Sequence, residues 1–143
     1  MSLLNIERVL IPIDFSDQSF SVLEEALELV KDPARLHVLH VLPHLNPGDP
    51  GIVWNQVNDQ TRKQHVEEAF RERYPASQYA GIHFSSAIGS PSSEIIDYAK
   101  AHNITLIAIS SHGYTGLSRF LLGSVTEKVV RYAHCPVLVL RQT

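Results

Sequence analysis

Short, almost unbroken apolar runs alternate along this chain with segments whose apolar residues recur every three or four positions. That alternation narrows the possible folds sharply. Val9-Leu10-Ile11-Pro12-Ile13, Leu36-His37-Val38-Leu39-His40-Val41-Leu42, Leu106-Ile107-Ala108-Ile109 and Val137-Leu138-Val139-Leu140 lack the strict in-out pattern of a strand with one wet face. They suit parallel strands buried on both faces. Ile82 to Ile88 does alternate, with Ile82, Phe84 and Ser86 opposite His83, Ser85 and Ala87, and predicts a fifth strand at a sheet edge. Between the runs, Leu23, Ala26, Leu27 and Val30 form one helical stripe, preceded by Ser16 as N-cap and ended by Asp32-Pro33. Val66, Ala69, Phe70 and Arg73 predict a second helix stopping near Pro75. Pro91 to His102 predicts a third, with Pro91 in its first turn and Glu94 near its positive end, and Ser124 to Ala133 a fourth. Strands alternating with helices in this way imply an α/β domain whose parallel sheet is covered on both faces.

The 143 residues suffice for one domain with its own core, and residues 1–143 are expected to form a single unit without repeats. The net charge of -3 provides no electrostatic footprint for nucleic acid or an anionic membrane. No apolar run approaches bilayer length, and the first residues lack the basic stretch and long apolar core of a signal peptide, so a cytoplasmic location is expected. Cys135 is the only cysteine, which excludes an internal disulfide and a cysteine cage for metal. Pro43 to Gly51, with Pro43, Pro47, Pro50, Gly48 and Gly51, reads as a loop.

In open α/β sheets, ligands bind outside the carboxyl ends of the strands, where strand order reverses. Asp14 follows the first strand, Val41 lies near the end of the second, and Ser110 to Gly116 follow the fourth. Together they offer an acid for a ribose hydroxyl, a backbone edge for a base, and glycines for phosphates. The Gly123-Ser124 step introduces the last helix, whose first N–H groups and positive dipole end can hold a phosphate. Ser124 is expected to serve as N-cap and phosphate ligand together.

These residues stand in an order that resembles the universal stress protein family over nearly the whole chain. Val9 to Ser16 (VLIPIDFS) resembles its first strand and acidic turn. Gly89-Ser90-Pro91 with Glu94-Ile95-Ile96 resembles the turn into its third helix. Ser111-His112-Gly113, Leu122-Gly123-Ser124-Val125 and His134-Cys135-Pro136-Val137-Leu138-Val139 resemble its C-terminal signature. The resemblance implies an open five-stranded parallel sheet of order 3-2-1-4-5, adenine nucleotide alpha hydrolase-like, with the reversal between the first and fourth strands. The ATP-binding branch of the family carries G-x2-G-x9-G-[ST]. Gly113, Gly123 and Ser124 match its last three fixed positions, and Ser110 replaces the first glycine. By position, the resemblance implies that Asp14 bonds the ribose and the Val41 backbone the adenine. Backbone N–H groups of Gly113, Gly123, Ser124 and Val125, with the Ser124 hydroxyl, would hold the phosphates of ATP, and Mg²⁺ would arrive with the nucleotide. Ser110, with a Cβ where glycine allows close approach, is expected to weaken or reorient binding. The resemblance also implies a homodimer through the last strand, Pro136 to Arg141, and a role in stress tolerance.

Other chemistries fit less well. No Gly-Lys-Ser/Thr step occurs, so this is not a P-loop NTPase, and no G-x-S-x-G elbow supports a hydrolase triad of Ser111, His112 and Asp14. His37 and His40, three apart on a strand, point to opposite faces and make no metal pair. Arg119, within the nine-residue spacer, reads as a solvated arginine ahead of a terminal-phosphate ligand, Gly116 as loop flexibility, and Trp54 as either an exposed contact or a lid over the core. Two rivals to a nucleotide-responsive module stay open: a dimer that has lost nucleotide, and an enzyme that cleaves it.

Overall fold

Each apolar run forms a strand, and each helical stripe packs across it. The computed structural model describes residues 4–44, 58–111 and 123–141. In chain order these form β1 (Val9–Ile13), α1 (Asp17–Val30), β2 (Leu36–Leu42), α2 (Asp59–Arg73), β3 (His83–Ile88), α3 (Pro91–Ala101), β4 (Leu106–Ser110), α4 (Ser124–Tyr132) and β5 (Val137–Leu140). Short 3-10 turns at Pro33–Arg35 and Ser77–Tyr79 lead into β2 and β3. The five strands make one sheet of order β3-β2-β1-β4-β5, with every pairing parallel. Strand order therefore reverses between β1 and β4.

The sheet divides the core in two. On one face Val9, Ile11, Ile13, Val38 and Leu106 pack with Phe20 and Leu23 of α1 and Phe70 of α2. On the other, Leu10, Leu39, Ile107 and Ile109 pack with Ile95 and Ala99 of α3 and Val129 of α4. The strictly alternating assignment of β1 and β4 residues to the two clusters is the two-residue period of a strand buried on both sides. The edge expected at β3 is present, and β5 forms the other.

Local chemistry sets the helix limits. Ser16 caps α1, its hydroxyl accepting from the Ser19 N–H at 3.2 Å, and Lys31 ends the helix in the left-handed region at φ 65°. Phe20 and Val22 join the buried face of α1, whereas Leu27 is only partly buried. α2 begins earlier than its apolar spacing suggests, because Asn58 accepts from the Thr61 N–H at 2.8 Å and so caps it. Phe70 is its one buried residue, stacked on Phe84 of β3 at 4.8 Å between ring centroids.

Candidate functional site

The sheet parts where its order reverses. β1 and β4 pair only through Val9↔Leu106 and Leu10↔Ile107, although both strands continue beyond. The Arg8 carbonyl accepts from the Thr105 and Leu106 N–H groups, so Arg8, Leu10 and Pro12 alternate onto the β4 side of β1. Pro12 has no N–H with which to extend that ladder. Pairing thus stops short of the carboxyl ends of β1 and β4, where the reversal of strand order opens a crevice.

Asp14 stands on the β1 side of this crevice, half-buried. Its Oδ1 accepts from the Ser16 N–H at 3.0 Å, while the Asp14 N–H lies 3.4 Å from the Ser19 hydroxyl. Capping of α1 falls to Ser16, so Asp14 is held by the turn without serving as the cap. Phe15, between them, adopts φ 63°, a conformation costly for a bulky side chain. Its ring meets Phe20 and His40 edge-on, at 5.5 and 4.9 Å. The His40 Nδ1 lies 2.9 Å from the Ile13 carbonyl, pinning the end of β1 to β2. Burial pushes His40 below its ordinary pKa, partly opposed by that hydrogen bond and by Asp14.

Val41 is one step past the last β1–β2 pair, Ile13↔His40. The Leu42 carbonyl accepts from the Gly89 N–H beyond β3, so alternation turns the Val41 main chain toward β1. Its side chain is buried among the residues under α3 and α4.

Ser110 is the last residue of β4, buried, with no positive φ. Alternation sets its side chain on the α1 face, in step with Leu106 and Ala108. Its carbonyl accepts from the buried Thr126 hydroxyl at 2.7 Å. Ser111, also buried, donates its N–H to Leu140, and its carbonyl accepts from the Gly123 N–H at 2.9 Å. Those bonds strap the start of α4 to the end of β4. They also correct one expectation: Gly123, not Ser124, is the N-cap, and Ser124 is the first helical residue. Glycine supplies no capping side chain, so helix geometry leaves the Ser124, Val125 and Thr126 N–H groups without an intrahelical acceptor. The Ser124 side chain is exposed, and Val125 is partly buried against the core.

Gly113, Gly116, His112, Arg119 and Trp54 lie outside the described residues, as does all but the first two residues of the segment from Pro43 to Gly51. Asp14, Val41, Ser110, Gly123, Ser124 and Val125 all belong to strand ends or helix starts around the reversal. Sequence reading missed Thr126 and Pro12. A threonine on the inward stripe of α4 and a proline whose parity faces β4 were the available signals. His37 and His40 do point to opposite faces, toward Tyr98 and Phe15 respectively. Among the described residues no three His, Cys, Asp or Glu side chains are grouped to hold a metal ion. No helix among them is long and apolar enough to cross a membrane.

The family model for the universal stress protein family matches residues 5–141. A universal stress protein of Methanocaldococcus jannaschii is 30% identical over 141 residues, covering 95% of this chain and 82% of that protein. The solved structure of universal stress protein UspA from Lactobacillus plantarum superposes with a TM-score of 0.75 at 29% identity, covering 96% and 99% of the two chains. A universal stress protein solved in complex with cAMP has the same fold, with a TM-score of 0.63 at 17% identity over 96% and 98%.

Proposed function

The chain belongs to the universal stress protein family, and on that footing we propose that it binds an adenine nucleotide, ATP foremost, across the β1–β4 crevice. The observation that carries this reading is the start of α4. Three N–H groups and the positive end of a helix stand, without a capping side chain, beside the parting of β1 and β4. The amides of Ser124 and Val125, the Ser124 hydroxyl and Gly113 hold the phosphates. The Gly123 N–H, bonded to Ser111, positions the helix and contacts no phosphate. Asp14 receives a ribose hydroxyl on Oδ2 while Oδ1 stays with Ser16. The Val41 main chain, past the end of β1, meets the adenine edge. Mg²⁺ accompanies the phosphates. That a universal stress protein of the same fold was solved in complex with cAMP, an adenine nucleotide, supports this reading.

The chain acts as a single cytoplasmic domain and a stress-responsive binding module with at most slow ATP hydrolysis, since no described side chain beside the phosphate cradle is a ready base for water. It forms a homodimer through β5. That strand is an unpaired edge, and a groove of about 190 Å3 runs beside it between α1 and β5, lined by Leu29, Leu138 and Leu140. The rival reading, a dimer without nucleotide, draws on Ser110.

Thermal unfolding with and without Mg·ATP, followed by assay of the recovered nucleotide, separates these readings. Ligand at ~100 times its dissociation constant stabilises the fold by about 2.7 kcal/mol, so a raised midpoint with intact ATP is expected. An unchanged midpoint at saturating ATP supports the rival, and rapid release of ADP contradicts the binding-module reading.

A further inference from the structure

At the opposite end of the sheet, four aromatic rings form a cluster of two stacked pairs, away from the proposed nucleotide site. His37 and His83 are register partners on β2 and β3, and their rings stack at 4.7 Å between centroids. From α3, Tyr98 meets His37 at 5.8 Å, and the rings of Tyr98 and His102 stack at 3.8 Å. His102 lies 6.0 Å from His37. One cluster thus joins an edge strand, its neighbour and the end of a helix.

Hydrogen bonds fix how the rings carry their protons. His83 donates from Nε2 to the Ala34 carbonyl at 3.1 Å, and His102 from Nδ1 to the Tyr98 carbonyl at 3.1 Å. The Tyr98 hydroxyl lies 2.8 Å from His37 Nδ1, a hydrogen bond that ties α3 to β2. The ionisable groups that bear on His37 are basic: His83 from β3, His102 from α3, and Arg8 just before β1. Burial and these neighbours lower its pKa to about 4, burial contributing most. A proton on His37 puts a charge on a half-buried ring, and a second on His83 sets like charges in face-to-face contact.

We propose that the His37–His83–Tyr98–His102 cluster is a proton-operated latch, fastening β3 and the end of α3 to the sheet while its histidines are neutral and releasing them in acid. Release loosens an edge strand, whose freed backbone groups are a surface for pairing. The latch sits away from the crevice and needs no nucleotide.

Amide hydrogen exchange on the full chain without nucleotide, at about pH 7 and about pH 5 and corrected for intrinsic rates, tests it. We expect protection of His83 to Ser85 and of the last turn of α3 to fall at least ~10-fold in acid, while β1 and β4 keep theirs. The variant His37→Gln keeps an acceptor for Tyr98 but cannot be protonated, and is expected to lose most of that local pH response. Uniform exchange across the sheet at both pH values, or an undiminished response in His37→Gln, overturns the proposal. Should the variant fail to fold, the NMR titration of His37 in the unmodified chain decides. A midpoint well below 6.5 supports the latch, and one at or above 6.5 overturns it.

Discussion

Ser110 carries a side chain where the family spacing has glycine, yet it ends a strand in ordinary backbone geometry and turns that side chain toward α1. Glycine's conformational freedom is not needed there. Ser110→Gly is therefore expected to change ATP affinity less than ~3-fold while lowering stability by about 0.5–1 kcal/mol, measured by calorimetric titration and urea unfolding. Thr126 matters more. Thr126→Val keeps the shape but removes the buried hydrogen bond from Thr126 to the Ser110 carbonyl, and is expected to cost about 0.5–1.5 kcal/mol in urea unfolding. Asp14 was legible as an acid after a first strand. The left-handed Phe15 beside it was not, because nothing in Asp-Phe-Ser announces a positive φ; the packing of its ring on Phe20 and His40 accompanies it. Nor does any spacing reveal that the Gly123 N–H is bonded to Ser111.

Among the elements, strands buried on both faces were readable because their runs need no polar side. α2 was half readable. Its single buried residue, Phe70, leaves little stripe to see, and its true start depends on Asn58 reaching Thr61. That economy makes a prediction: Phe70→Ala removes the main apolar anchor of α2 against β3 and is expected to cost about 3–5 kcal/mol, read from the urea midpoint. The crevice follows from the reversal of strand order; that Pro12 also withholds an N–H from β4 there could be inferred only once strand parity was known. The start of α4 was legible in kind, as glycine before a helix, but its cap was misplaced by one residue, since Gly123 and Ser124 both suit that position.

For the whole molecule, two histidines make stability depend on pH. An unfolded chain protonates histidine near pH 6.5, whereas folded His37 waits until about 4 and His40 is also lowered. The unfolded state then binds more protons as pH falls between those values. Stability is expected to be level above pH 6.5 and to decline toward pH 4, by about 1–2 kcal/mol from His37 after allowing for solvent around its ring. Urea midpoints across that range check it. The proposed homodimer predicts a sedimenting mass near twice 16.0 kDa, with Leu140→Lys restoring the monomer by charging the β5 edge. Most directly, amide NMR spectra recorded while Mg·ATP is added should show saturable shifts at Ser124, Val125, Thr126 and Asp14, with β3 and α2 nearly still. Spectra unchanged at those four amides under millimolar ATP would contradict nucleotide binding at the start of α4.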